Sequence, residues 1–243
     1  MSIHSYRYPD PPHAAEACAK HILGLLEEAM AGDAAATLAI SGGSSPRLMF
    51  GVFAKAPFPW ERVHLFWVDE RAVPPTDPQS NFKLADDTWL TPAHYPRRNI
   101  HRIQAELQPD VAAARYADEI RRYFELKPGE MPHFDVIHRG MGPDAHTASL
   151  FPGEPLIDDR ENMVAAVWVE KMNQWRITLL PGVLLAARHT AMLVTGADKA
   201  EAVRAVFCEP YDPKKYPAQI TSHHGRRVTW FLDEAAAALM EEC

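Results

Sequence analysis

Four short apolar segments of the sequence each end in a loop that is rich in glycine or charged residues. They are residues 37–40, 63–68, 134–137 and 190–194. Stretches with the apolar spacing of helices lie between them, and buried strands that alternate with helices are typical of a parallel sheet with both faces covered. This order predicts an α/β fold with three layers, α/β/α, in which a mostly parallel, Rossmann-like sheet has helices on both faces.

The remaining elements are predicted from apolar periodicity and turn residues. Helices are expected at residues 15–30, 48–53, 80–90, 110–126, 181–187, 200–207 and 233–242, and further strands at 164–169, 177–179 and 228–232. The chain has 243 residues, without an internal repeat or a break in composition. Such a length suits one hydrophobic core, so we expect a single domain over residues 1–243.

The charge balance limits the classes of partner. Lys and Arg number 25 against 32 Asp and Glu, a formal net charge of −7, so no broad basic surface for nucleic acid or anionic lipid is expected. No apolar run approaches the roughly 20 residues of a membrane span, and the N-terminus lacks the apolar core of a signal peptide. The scattered Cys18, Cys208 and Cys243 predict reduced thiols. We expect a cytoplasmic protein with no nucleic-acid or membrane partner, although a local basic pocket can still hold one small anion.

The loop after the first apolar segment has the composition of a phosphate-binding turn. Residues 41–46 read Ser-Gly-Gly-Ser-Ser-Pro and precede a predicted helix. Such a loop brings backbone N–H groups and hydroxyls to a helix N-terminus, where the helix dipole favours an anion. The same composition also suits a tight turn with a serine cap. The candidate phosphate ligands are Ser41, Gly42, Gly43 and Ser44.

Three cationic side chains lie at predicted strand ends. Arg71 closes the run Asp-Glu-Arg directly after residues 63–68. Its guanidinium can bind phosphate or a developing oxyanion, or it can belong to a solvated charge cluster. Lys199 follows the strand at 190–194, and Arg176 precedes 177–179. Each of these two is either a phosphate ligand or a surface residue.

A histidine and an aspartate follow the segment at residues 134–137. His146 is suited to general acid and base chemistry near neutral pH, and Asp144 can orient the imidazole and stabilise its protonated form. The chain has 12 histidines, so a structural role is the alternative. The histidines and cysteines do not have the spacing of metal ligands. Neither a metal nor another cofactor is expected.

Taken together, these segments resemble the 6-phosphogluconolactonase family, whose fold superfamily includes glucosamine-6-phosphate deaminases and ribose-5-phosphate isomerases. The resemblance is most specific at residues 140–152, Gly-Met-Gly-Pro-Asp-Ala-His-Thr-Ala-Ser-Leu-Phe-Pro. Asp-Glu-Arg at 69–71 and Thr-Ala-Ser-Leu-Phe-Pro after the histidine favour the lactonases over the deaminases. The other matching segments are residues 38–46, 67–74 with Ser80 and Asn81, 176–179, 195–200 and 228–233.

The resemblance implies that a catalytic domain over residues 1–243 hydrolyses 6-phospho-D-glucono-1,5-lactone to 6-phospho-D-gluconate in the oxidative pentose phosphate pathway. His146 would be the general base for water, oriented by Asp144. Arg71 would bind either the phosphate or the oxyanion. The other phosphate ligands would be Ser41, Gly42, Gly43, Ser44, Arg176 and Lys199. The sequence leaves open whether the protein is a monomer or a homodimer.

Two departures from the family pattern leave alternatives open. The family usually has glycine where this chain has Ala145, and an apolar strand where it has His138 and Arg139. If position 145 needs a positive φ, alanine costs about 1–2 kcal/mol and can move the histidine. The alternatives are a glucosamine-6-phosphate deaminase or sugar-phosphate isomerase, and a non-catalytic homologue that binds sugar phosphates.

Overall fold

Seven parallel strands form the central sheet of the computed structural model, which describes residues 4–32 and 34–240. Numbered in chain order and given in their order across the sheet, they are β1 (His4–Tyr8), β10 (Val228–Asp233), β9 (His189–Val194), β6 (Val136–Arg139), β2 (Ala36–Ile40), β3 (Val63–Trp67) and β5 (Ile100–His101). All neighbouring pairs are parallel, so all carboxyl ends lie at one edge. The predicted parallel α/β fold is confirmed.

Helices cover both faces of this sheet. They are α1 (Pro11–Ala29), α2 (Ser44–Phe53), α3 (Asn81–Ala85), α4 (Pro109–Tyr123), α5 (Pro181–Ala186), α6 (Ala200–Cys208) and α7 (Gln219–His224). On one face, Phe231 of β10 packs in the same cluster as α1, and on the other face Trp230 packs with α6. In the part of the chain that the structure describes, no helix is both long and apolar enough to cross a membrane.

The first helix shows how local sequence produces these elements. Asp10 precedes α1 and its carboxylate accepts a hydrogen bond from the backbone N–H of His13 at 3.0 Å. Prolines occupy the first two helical positions, where no backbone donor is lost. The apolar residues at three- and four-residue spacing, among them Cys18, Ile22 and Leu26, are fully buried.

A second, antiparallel sheet corrects the prediction. β4 (Asp69–Arg71), β8 (Gln174–Leu179) and β7 (Val164–Val169) lie side by side in that order. The sequence predicted 164–169 and 177–179 as strands of one mostly parallel sheet and 69–71 as a loop. Backbone pairing is the reason for the difference, because a short charged segment forms a strand when a neighbouring strand supplies its hydrogen bonds.

Further segments differ from the prediction. The expected helix at 80–90 is α3 followed by a π-helical turn over Asp86–Leu90, and β1, β5 and α7 were not predicted. The predicted helix at 233–242 is wrong where the structure describes it, since residues 234–239 form turns. The Asp233 carboxylate accepts hydrogen bonds from Ala236 N at 2.9 Å and from Gly196 N at 3.0 Å. It thereby ties this segment to the loop before α6. Residues 241–243 lie outside the described residues.

The cysteines differ in state. Cys18 is a free thiol, and burial in α1 raises its pKa well above the usual range. Cys208 is disulfide-bonded, so the prediction of a reduced thiol is wrong there, because spacing along the sequence does not show which cysteines meet in space. Cys243 lies outside the described residues.

The two polar residues of β6 are completely buried. His138 and Arg139 are each 0% exposed. Among the described residues, neither ring nitrogen of His138 has a hydrogen-bond partner, whereas Arg139 Nη2 contacts Thr221 Oγ1. Desolvation, and then the charge of Arg139, lowers the pKa of His138 to about 3. The imidazole is therefore neutral in the folded protein, and its unpaired nitrogens cost stability.

Replacing His138 by leucine is expected to raise the free energy of unfolding by about 1 kcal/mol at pH 7.5, because unpaired polar atoms leave the core. The gain is expected to be about 2 kcal/mol larger at pH 5. The pKa of His138 is about 3 in the folded state against 6.5 ordinarily, so between these values the unfolded state binds the extra proton and His138 destabilises the fold as pH falls. Urea unfolding at both pH values measures the difference.

The control is His224→Leu, which changes an exposed histidine and should leave the pH dependence of stability as it is in the unchanged protein. A His138→Leu protein that gains nothing, or gains equally at both pH values, would contradict the buried neutral imidazole.

Candidate active site

A cavity of about 210 Å³ opens at the carboxyl edge of the central sheet, between the loops that follow β2 and β6. Eight of the nine predicted site residues line it: Ser41, Gly42, Gly43, Ser44, Arg71, His146, Arg176 and Lys199. The ninth, Asp144, is hydrogen-bonded to His146 and lines a neighbouring cavity. The fold thus brings together residues that are more than 150 positions apart in the sequence.

The imidazole of His146 is held from two sides. Its Nδ1 lies 2.6 Å from Asp144 Oδ1, and the ring stacks on Phe151 with 4.2 Å between ring centroids. Burial opposes ionisation of Asp144, but hydrogen bonds from His146 and Lys171 outweigh it and hold the pKa of this carboxyl well below its usual range. An ionised carboxylate only accepts hydrogen bonds, so Nδ1 carries the proton and Nε2 is the basic nitrogen of the ring.

The imidazole fits only because residue 142 is glycine. A Cβ atom on Gly142 would lie 2.0 Å from both Cε1 and Nδ1 of His146. The backbone N–H of Gly142 also donates to the carbonyl of His146 at 3.0 Å, which closes the loop into a tight turn. A side chain at this position would push the imidazole away from Asp144.

Ala145 occupies a left-handed backbone conformation, with φ of 62°. Such a conformation costs an alanine about 1–2 kcal/mol. Two hydrogen bonds hold it, from Ala145 N to Gly142 O at 3.0 Å and from Ala218 N to Ala145 O at 2.9 Å. The bond between His146 and Asp144 is still formed at 2.6 Å, so the alanine leaves the pair in contact.

Residues 41–43 form the loop after β2, and α2 begins at Ser44, beside the cavity. Gly43 precedes α2 with φ of 128°, a backbone conformation that favours glycine, and no side chain caps the helix. The first N–H groups of a helix have no partner within it, and Ser44 and Ser45, the first two residues of α2, both line the cavity. Ser45 Oγ is 2.7 Å from Thr195 Oγ1, which joins this loop to the loop after β9. Nothing local in the sequence indicates this contact.

Three cations line the cavity. Arg71 of β4 lies directly opposite Arg176 of β8, and like charges in such a pair repel each other. Burial, and then the charge of Arg71, lowers the pKa of Arg176, while the carboxylate of Asp69 opposes this. Lys199 Nζ pairs with Asp198 at 2.5 Å. Asp69 is the acidic residue that lines the same cavity, so its wall carries an excess of positive charge that suits an anion.

Glu70, the residue directly before Arg71, has a positioning role. Its carboxylate accepts hydrogen bonds from the backbone N–H groups of Arg71, Asn81 and Phe82 and from Ser80 Oγ, at 2.7–3.0 Å. Burial raises the pKa of Glu70, and these four hydrogen bonds oppose the rise. Glu70 thereby anchors β4 and Arg71 to the start of α3.

The arrangement combines a basic nitrogen, an anion-binding helix N-terminus and cations in one small cavity. It can bind a small phosphorylated molecule and move a proton beside it. Over residues 4–32 and 34–240, no group of three or more His, Cys, Asp or Glu side chains is placed to hold a metal ion.

Known proteins match this chain over most of its length. Residues 9–230 match the protein family described as glucosamine-6-phosphate isomerases/6-phosphogluconolactonase. A 6-phosphogluconolactonase from Nostoc sp. is 37% identical over 218 residues, which cover 89% of this chain and 90% of the relative. The crystal structure of devB protein is 33% identical with a TM-score of 0.85, covering 98% of this chain and 99% of that one.

A monomeric glucosamine-6-phosphate deaminase is similar in fold, with a TM-score of 0.80 over 98% of this chain and 100% of that one, but only 17% of its residues are identical. Fold alone therefore does not separate the two activities. The matches confirm the resemblance predicted from the motifs: this chain belongs to the glucosamine-6-phosphate isomerase/6-phosphogluconolactonase family.

Proposed function

We propose that this protein is a cytoplasmic enzyme that hydrolyses 6-phospho-D-glucono-1,5-lactone to 6-phospho-D-gluconate. The observation that carries the proposal is the contact of 2.6 Å that Asp144 makes with His146, which lines a positively charged cavity. The name of the relative from Nostoc sp., 6-phosphogluconolactonase, supports the same substrate. A lactone is an activated ester, so a base for water and donors for the developing oxyanion suffice for its hydrolysis.

In the proposed reaction His146 Nε2 takes a proton from a water molecule as the water oxygen attacks the lactone carbonyl carbon. Asp144 accepts the hydrogen bond from Nδ1 and stabilises the imidazolium that forms. The tetrahedral intermediate then expels the ring oxygen, which takes the proton from Nε2. One C–O bond forms and one breaks, and the products are a carboxylic acid, ionised at neutral pH, and a hydroxyl group.

Most of the anion-binding groups serve the phosphate of the substrate. In the proposal, the loop with Ser41, Gly42, Gly43 and Ser44 binds the phosphate through backbone donors at the N-terminus of α2, with Lys199 and Arg176 supplying charge. Arg71 lies opposite Arg176 and binds either the phosphate or the oxyanion.

Replacing His146 by alanine is expected to lower kcat by about 10²- to 10⁴-fold with little change in KM, because a positioned base contributes that much to the transition state. The measurement is hydrolysis of freshly generated lactone above its spontaneous rate. His224→Ala serves as the control, since this histidine is exposed and not among the residues that line the cavity. A His146→Ala protein with turnover within a few-fold of the unchanged enzyme would overturn the assignment.

The same preparations distinguish the alternative functions. Release of ammonia from glucosamine 6-phosphate would identify a deaminase. Thermal stabilisation by 6-phosphogluconate without hydrolysis above the spontaneous rate would identify a binding protein without catalysis.

Replacing Gly142 by alanine is expected to lower kcat by about 10²-fold, because the new Cβ would lie 2.0 Å from the imidazole of His146 and displace a catalytic group. The matched control is Gly140→Ala in the same loop, where the nearest atom to the new Cβ, Leu193 O, is 3.7 Å away. Steady-state kinetics should show the loss for Gly142→Ala and at most a few-fold change for the control. Equal effects of the two alanines would contradict the steric explanation.

Replacing Lys199 by alanine is expected to raise KM for the lactone about tenfold and to change kcat by only a few-fold, because a hydrogen bond to a charged group contributes about 1.5–3 kcal/mol. Activity towards glucono-1,5-lactone, which has no phosphate, should not fall. A drop in kcat at unchanged KM would instead place Lys199 at the reacting carbonyl.

A further inference from the structure

A lysine outside the predicted site residues contacts the catalytic pair of His146 and Asp144. Lys171 lies in the turn between β7 and β8, in the short 3₁₀ helix Glu170–Met172. Its ammonium contacts Asp144 Oδ2 and lies 4.4 Å from the centroid of the Phe151 ring. Half of the Lys171 side chain is exposed.

Lys171 and His146 share both of their partners. The two carboxylate oxygens of Asp144 are divided, since Oδ1 accepts from His146 and Oδ2 from Lys171. The Phe151 ring is likewise shared, because the imidazole stacks on it and the ammonium lies over it. Lys171 is therefore connected to His146 through two different side chains, one charged and one aromatic.

The same turn also contacts the anion-binding part of the cavity. Arg176 Nη2 donates to the sulfur of Met172, the residue after Lys171, at 2.9 Å. Asn173 closes the turn in a left-handed conformation with φ of 49°. Two neighbouring residues of this turn therefore contact different parts of the site: Lys171 contacts Asp144 of the catalytic pair, and Met172 contacts Arg176, a cation of the cavity.

We propose that Lys171 is a positioning residue for the His146–Asp144 pair, which holds the Asp144 carboxylate in place and limits how readily the imidazole takes up a proton before the reaction begins. The expected effect of Lys171 on the rate of hydrolysis rests on the proposed function. The contacts themselves do not depend on which substrate binds.

The charged groups around the imidazole act on it in opposite directions. Asp144 favours the imidazolium, and Lys171 both repels it and offsets the charge of Asp144. The other charged side chains of the catalytic cavity are Asp69, Arg71, Arg176 and Lys199, and those of the neighbouring cavity, beside Asp144 and Lys171, are Glu154 and Glu170. Removing the ammonium leaves all of these in place and makes the imidazolium more favourable. The base would then be protonated, and inactive, at a higher pH.

The test compares Lys171→Met, Lys171→Arg and the control Lys20→Met, which breaks the exposed ion pair of Lys20 with Glu16 on α1. In Lys171→Met the acid limb of the kcat/KM profile is expected to move up by about 0.5–1 pH unit, and the shift should shrink at high salt because the pair is half-exposed. KM for the lactone should stay within about threefold. Lys171→Arg should restore the limb, and Lys20→Met should leave it unchanged.

A loss of activity in Lys171→Met that is the same at all pH values would show a merely structural role and overturn the proposal. An acid limb that stays in place or moves to lower pH would also overturn it. A second readout is independent of the lactone. NMR titration of the His146 ring, assigned by its absence in His146→Ala, should show a higher midpoint in Lys171→Met. If the unchanged enzyme fails to accelerate hydrolysis, the proposed function fails, and the NMR midpoint still decides whether Lys171 acts on His146.

Discussion

The pairing of β2 with β6, in which Leu38 lies opposite Val136 and Ala39 opposite Ile137, is the contact on which the active-site cavity depends. From this pair the sheet extends to β3 and β5 on one side and to β9, β10 and β1 on the other. The chain therefore changes its direction of winding here, and the loops that follow the two strands diverge and leave a crevice between them. One of these loops carries the N-terminus of α2, and the other carries His146.

The small antiparallel sheet completes the cavity. Its β4 and β8 place Arg71 opposite Arg176, and the turn between β7 and β8 brings Lys171 to Asp144. Leu179 N donates to Val68 O at 2.8 Å. This hydrogen bond joins β8 to the end of β3 and holds the small sheet beside the crevice. The net charge of −7 describes the whole chain. The local charge of the cavity is set by these few side chains.

The loop that carries His146 contains backbone strain that its neighbours hold in place. Ala145 and Ala148, on either side of the pair His146 and Thr147, both have positive φ, 62° and 53°. Strained residues persist where the surrounding contacts determine their conformation. Here the contacts include the bond from Ala218 N to Ala145 O. The strand before this loop, β6, contains the buried imidazole of His138, whose nitrogens have no hydrogen-bond partner among the described residues and therefore cost further stability. Stability is therefore lowered close to His146, and the surrounding core compensates.

The sequence by itself determined most of the order of strands, loops and helices, and it singled out His146 with Asp144 and residues 41–46 as candidate site residues. These features are local: apolar periodicity, a glycine-rich turn before a helix, and an aspartate two residues before a histidine. Only the tertiary structure decided that Ser45 meets Thr195 and that Lys171 meets Asp144. Contacts of this kind depend on which strands pair and how sheets pack. The long-range hydrogen bonds that settle this leave no local pattern in either segment.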